Sequence, residues 1–104
     1  MTPEETLAKL EEYRMQIDEV DRRIVALLNE RIAVVENIGR VKREAQLPVY
    51  EPKREDQVFA NITSANHGPL TTQAVRAIFE RIIDASRSIQ RLRMIETPPE
   101  EPKC

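Results

Sequence analysis

Residues 7–46 read LAKLEEYRMQIDEVDRRIVALLNERIAVVENIGRVKREAQ, forty positions with no proline and a single glycine, Gly39. Apolar residues return every seven positions. Leu10, Ile17, Ile24, Ile38 and Ala45 form one series; Tyr13, Val20, Leu27, Val34 and Val41 form the other. A pattern sustained over five heptads predicts one long helix whose stripe needs a partner helix, because a lone helix cannot cover its own apolar face. The first series is interrupted where an aliphatic residue is due, and the occupant is Arg31. A guanidinium in an apolar seam is costly unless an anion meets it, either an internal carboxylate or a bound ligand.

Upstream of this stretch, residues 1–6 read as a frayed lead-in, with Thr2 an N-cap, Pro3 a suitable first helical residue and Glu4 and Glu5 favourable near the positive end of the dipole. Downstream, Pro48 and Pro52 each push the preceding residue away from helix, so Leu47-Pro48-Val49-Tyr50-Glu51-Pro52 closes the first helix, and Pro52 opens a second. That second helix carries Val58, Phe59 and Ile62 to about Ser64 and stops at the breaker cluster Asn66-His67-Gly68-Pro69. A third, capped by Thr71 or Thr72, shows Val75, Ile78, Phe79, Ile82, Ile83 and Ile89 on its apolar side. Ser86 and Gln90 continue the stripe set by Ile78 and Ile82 at a spacing of four. Gly39, inside the first helix, costs about 1 kcal/mol against alanine. Close approach of another element or a ligand would account for it, as would simple tolerance.

Composition bounds the function. At 104 residues the chain is read as one helical domain over residues 1–96, followed by a charged, proline-rich tail at 97–104 that is expected to be disordered. One third of the residues are charged, yet the net charge is only −2, so no footprint for nucleic acid or an anionic membrane is visible. There is no tryptophan and no strand-like run, which argues for an all-α fold. No apolar stretch of membrane length is present, and a cytoplasmic location is the expectation. The single cysteine, Cys104, supports neither an internal disulfide nor a cysteine metal site.

The groups able to do chemistry lie along the first helix and at two points beyond it. Arg31 and Lys42 are eleven residues apart, close to three turns, so they share a face about 16 Å apart along the axis. Arg14 lies twenty-eight residues from Lys42, about 42 Å on a straight helix, and cannot reach the same ligand within one chain. In an antiparallel two-fold pair, Arg14 of one copy falls beside the Arg31–Lys42 interval of the other, giving two equivalent sites. Glu51, Arg54 and Glu55 gather at the N-terminus of the second helix, and Ser86 and Gln90 are neutral hydrogen-bonding groups one turn apart. Taken singly, Arg14 reads as a surface residue, Glu55 as half of an ion pair and Ser86 as a packing residue. The set contains no activated nucleophile, no metal cluster and no general-base histidine. His67 falls in a breaker loop and reads as solvated.

In their order and spacing these segments resemble the all-α, AroQ-type chorismate mutase family. The residues that carry the likeness are Arg14–Asp21, Leu27–Arg31, Ile38–Lys42, Val49–Glu55 and Ile82–Gln90, spread over all three expected helices and covering about residues 7 to 93. The resemblance implies an intertwined antiparallel homodimer of three-helix subunits, each with one very long N-terminal helix. It also implies the Claisen rearrangement of chorismate to prephenate, on the route to phenylalanine and tyrosine. By that likeness Arg14 from the partner subunit and Arg31 hold the substrate carboxylates, Lys42 contacts a carboxylate and the ether oxygen, and Gln90 donates to the same ether oxygen. Glu55, with the backbone near Glu51, would bind the ring hydroxyl, and Arg54 and Ser86 would complete the pocket. Glu51 stands where an aspartate is common in the family.

The implied chemistry suits the inventory of groups. A pericyclic rearrangement needs no nucleophile, proton transfer, metal or cofactor; it needs a compact substrate conformer and stabilisation of charge developing on the ether oxygen. Two other readings follow from the same residues: an isochorismate-pyruvate lyase of the same fold, and a non-enzymatic helical adaptor. The adaptor would explain the heptads but not why Arg31, Lys42, Ser86 and Gln90 interrupt apolar stripes. An association with an early shikimate-pathway enzyme, as some small mutases of this kind show, is a further expectation from the resemblance.

Overall fold

The computed structural model describes residues 1–96, which form three α-helices in chain order: α1 (Pro3–Ala45), α2 (Pro52–Ala65) and α3 (Thr72–Glu96). No strand occurs among the described residues, in accord with the all-α expectation. The tail expected at 97–104, with Cys104, lies outside them.

Helix α1 begins four residues earlier than its heptads suggest, because the lead-in is capped and not frayed. The Glu5 N–H donates to Thr2 Oγ1 at 3.1 Å while the Thr2 N–H donates to Glu5 Oε1 at 2.7 Å. This reciprocal capping box satisfies two donors that would otherwise have no partner and fixes Pro3 as the first helical residue. The far end closes just as definitely. The Gln46 N–H donates to the Arg43 carbonyl at 3.2 Å and the Leu47 N–H to the Lys42 carbonyl at 2.8 Å. That pair of bonds is a Schellman closure, and it requires a left-handed residue at position 46. Gln46 supplies it, with φ of 59°, in a conformation that glycine would adopt without strain.

The chain divides into two units, Met1–Ala33 and Val34–Cys104. The first is the N-terminal part of α1. Its heptad residues Leu10, Tyr13, Ile17, Val20, Ile24 and Leu27 are all between 41% and 61% exposed. An apolar side chain contributes about 1.5–3 kcal/mol when fully buried, so this stripe holds unrealised burial energy in the single chain.

The second unit contains the last turns of α1 together with α2 and α3, and its apolar core is centred on Val35, Val75 and Ile83. Helix α2 packs against α3, and the Arg76 guanidinium lies 4.5 Å over the ring of Phe59. Between α2 and α3 the breaker cluster folds around Asn66, whose Oδ1 accepts from the Gly68 N–H at 3.2 Å and whose Nδ2 donates to the Leu70 carbonyl at 2.9 Å. Of the two candidate caps for α3, Thr71 serves: its Oγ1 accepts from the Ala74 N–H at 3.0 Å. Arg93 of α3 reaches Glu36 of α1 with two donors on one carboxylate oxygen, at 2.6 and 3.0 Å.

Candidate active site

Lys42 sits in the last turn of α1 and, among the described residues, is one of three buried polar side chains, with Ser86 and Gln90 of α3. Burying an ammonium is tolerable only when its hydrogens are matched by acceptors. Here they are. Lys42 Nζ donates to Gln90 Oε1 at 3.2 Å and to the Val49 carbonyl at 3.0 Å, and it pairs with Glu51 Oε1 at 2.9 Å. The Schellman closure makes this possible, since the Lys42 carbonyl turns the chain back through Leu47 and thereby returns the Val49 carbonyl to the side chain of the same residue.

Gly39 lies one turn before Lys42 and is buried against α3. A Cβ built there would stand 3.6–3.8 Å from the Cα, Cβ and Cγ of Gln90, ordinary van der Waals contact. Gln90 is thus the neighbour of this glycine, at a distance that admits a Cβ, so the approach of α3 does not by itself require glycine here. With Oε1 turned toward Lys42, the Gln90 amide presents its Nε2 hydrogens as donors elsewhere. Ser86, one turn earlier, donates from Oγ to the Ile82 carbonyl at 2.9 Å.

The second-helix set separates. Glu51 is the N-cap residue of α2, but its side chain makes no capping bond; the carboxylate lies on Lys42 instead. Glu55, half-buried, pairs with Arg87 Nε at 3.4 Å. Arg54 is exposed and its Nη1 donates to Gln57 Oε1 at 3.3 Å, within its own helix. In the first unit Arg14 is exposed and Arg31 half-buried. His67 is exposed in the α2–α3 connection.

Arg87 was not among the residues singled out by pattern. It pairs with Asp84 through Nη2 at 2.8 Å, with Glu55 through Nε, and stands 5.4 Å from the centroid of the Tyr50 ring. One guanidinium thus ties α3 both to α2 and to the linker ahead of it. The Asp84–Arg87 spacing of three is visible in sequence; the other two contacts arise only from the fold.

The arrangement offers a buried ammonium beside a neutral amide donor, with carboxylates at the margin. It can hold an anion and hydrogen-bond a developing oxyanion. Among the described residues no group of three or more His, Cys, Asp or Glu side chains is placed to hold a metal ion.

The model for chorismate mutase type II matches residues 13–91, more than half of the chain. The chain belongs to that family. A bifunctional chorismate mutase/prephenate dehydratase of Aquifex aeolicus is 35% identical over 89 residues, 82% of this chain and 25% of the relative. Among solved structures, chorismate mutase form II of Thermus thermophilus is 37% identical with a TM-score of 0.78, covering 80% of this chain and 94% of that one. Chorismate mutase of Helicobacter pylori, solved in complex with prephenate, is 25% identical with a TM-score of 0.81, covering 88% of this chain and 99% of that one. The chain spans about a quarter of the length of the first curated relatives it matches and nearly all of these solved chains. The all-α architecture is accordingly that of the chorismate mutases.

Proposed function

We propose that this chain catalyses the Claisen rearrangement of chorismate to prephenate, in the branch of aromatic amino-acid synthesis that leads to phenylalanine and tyrosine. The observation that carries the reading is the buried Lys42–Gln90 pair, an ammonium and an amide 3.2 Å apart. In the reaction the ether C–O bond breaks as a C–C bond forms within the same molecule, and negative charge builds on the ether oxygen. An Nζ hydrogen of Lys42 and an Nε2 hydrogen of Gln90 would meet that charge in a water-poor site, where preorganised donors act most strongly. Carboxylate clamps hold the chair-like conformer in which the reacting carbons approach. On this reading Arg31, Lys42 and Gln90 are catalytic, Glu55 and the backbone at Glu51 receive the ring hydroxyl, and Ser86 and Arg54 border the ring carboxylate.

Arg14 of the partner subunit completes the site. The exposed heptad residues of α1 support an antiparallel homodimer, because a single chain leaves the whole stripe in water. A cytoplasmic location belongs to the same reading; no described helix is long and apolar enough to cross a membrane. Association with an enzyme of the early shikimate pathway is part of it too; what supports it is that a similar segment occurs in a 3-dehydroquinate dehydratase, whereas the bifunctional relatives join it to prephenate dehydratase.

The decisive experiment is incubation of the purified chain with chorismate and identification of the product. Prephenate is expected. Release of pyruvate from isochorismate, without prephenate from chorismate, would replace the mutase by a lyase of the same fold.

A further inference from the structure

Glu51 is placed to do two things and does only one. As the N-cap residue of α2 it stands beside the unsatisfied N–H groups of the first turn, where a side-chain acceptor is favourable. It makes no such bond. Its carboxylate instead lies 2.9 Å from the Nζ of Lys42 as an ion pair, beside the two hydrogen-bond acceptors of that ammonium. Those two, the Val49 carbonyl and Gln90 Oε1, are neutral, so among the described residues Glu51 supplies the only formal negative charge bonded to Lys42.

Lys42 donates two hydrogens, to the Val49 carbonyl and Gln90 Oε1, and the Glu51 carboxylate holds the remaining close position at Nζ as an ion pair. An incoming carboxylate or ether oxygen can come within bonding distance of Nζ only if one of these three neighbours moves aside. Val49 is held by the turn and Gln90 by its burial, whereas the Glu51 side chain is 51% exposed and can swing into water or onto its own helix end. We propose that Glu51 is a resident anion on Lys42, displaced by the substrate, and that it thereby weakens the site's hold on dianionic ligands. The proposal rests on the mutase reading for the identity of the ligand, but the contact itself is a property of this chain. Position 51 then acts as a positioning and affinity-setting residue through its side chain, apart from any contact its backbone makes.

The test is Glu51→Gln in the full chain, with Glu51→Ser as a second variant that restores a short N-cap while removing the charge. Calorimetric titration with prephenate and initial rates of prephenate formation from chorismate are measured for both and for wild type. The prephenate Kd and the KM for chorismate should both fall by about twofold to fivefold, the worth of one partly exposed ion pair, with the change in KM larger than that in kcat. Unchanged or weaker prephenate binding in either variant, with wild-type circular dichroism, overturns the proposal. So does an effect confined to kcat, which would make Glu51 an orienting group for Lys42. Tightened prephenate binding in a chain that converts no chorismate upholds the resident anion and removes the mutase reading instead.

Discussion

The Nζ of Lys42 and Oε1 of Gln90 stand 3.2 Å apart although 48 residues separate them in the chain, and both side chains are buried. The amide accepts from the ammonium, so its own Nε2 hydrogens point away from Lys42. Once the Glu51 carboxylate is displaced, that geometry makes the pair a double donor to whatever enters beside it.

Replacing Lys42 by alanine should remove one donor and leave the helices intact. Loss of a donor to a developing oxyanion costs about 3 kcal/mol, so kcat/KM for prephenate formation should fall by about 10²- to 10³-fold. The bonds to Val49 and Glu51 are lost as well, so the melting temperature should drop by a few degrees without loss of helical circular dichroism. Wild-type turnover in Lys42→Ala would remove the assignment of this site.

Gln90 bears on pH. An amide does not titrate, so the donor at this position persists across the neutral range, and the wild-type rate should vary little from about pH 6 to 8. In Gln90→Glu the donor exists only in the protonated carboxylic acid. Lowering the pH toward about 4.5, the ordinary glutamate range, should therefore restore activity, while at neutral pH a carboxylate would bind Lys42 and oppose the growing charge on the ether oxygen. The check is a pair of pH–rate profiles. A wild-type rate that collapses between pH 5 and 7, or a variant no better in acid, would contradict the role given to the amide.

Much of this was legible in sequence. The heptads, the two prolines around Val49 and the Asn66–Pro69 cluster mark all three helices, and Ser86 and Gln90 stand out because they occupy apolar positions at a spacing of four. Other features depend on competition between local rules. A capped start displaces the expected fraying at residues 3–6 because Thr2 and Glu5 satisfy each other. Whether Glu51 caps α2 or meets Lys42 is decided by the path of residues 46–51, which follows from a left-handed Gln46 that no composition rule anticipates. Arg87 shows a local pair in sequence, but its contacts with Glu55 and Tyr50 exist only once α3 lies beside α2. Arg54, grouped with Glu55 by proximity along the chain, turns outward to Gln57.

Gln46 carries a stability prediction of its own. A side chain in the left-handed region costs about 1–2 kcal/mol, and glycine removes that strain at an unfolded-state cost of about 0.5–1 kcal/mol. Gln46→Gly should thus stabilise the chain by about 0.5 kcal/mol and raise the denaturation midpoint measurably. Because the same turn delivers the Val49 carbonyl to Lys42, the variant should keep its turnover. A lower midpoint would mean that Gln46 contributes a contact outweighing its backbone strain.

The last prediction concerns the shared site. If Arg14 acts from the partner subunit and Lys42 from the subunit that holds the rest of the site, neither Arg14→Ala nor Lys42→Ala alone can assemble a complete set of groups. A mixed dimer can. One of its two sites takes Arg14 from the Lys42→Ala chain and Lys42 from the Arg14→Ala chain, and is wild type; the other carries both lesions. Free exchange of equal amounts makes half of the dimers mixed, each with one intact site in two, so activity should rise to about a quarter of the wild-type level. The measurement is prephenate formation after the two variants are unfolded and refolded together, compared with refolding each alone. Recovery to that level requires Arg14 to cross the interface, whereas no gain on mixing would place Arg14 outside the site or confine each site to one chain.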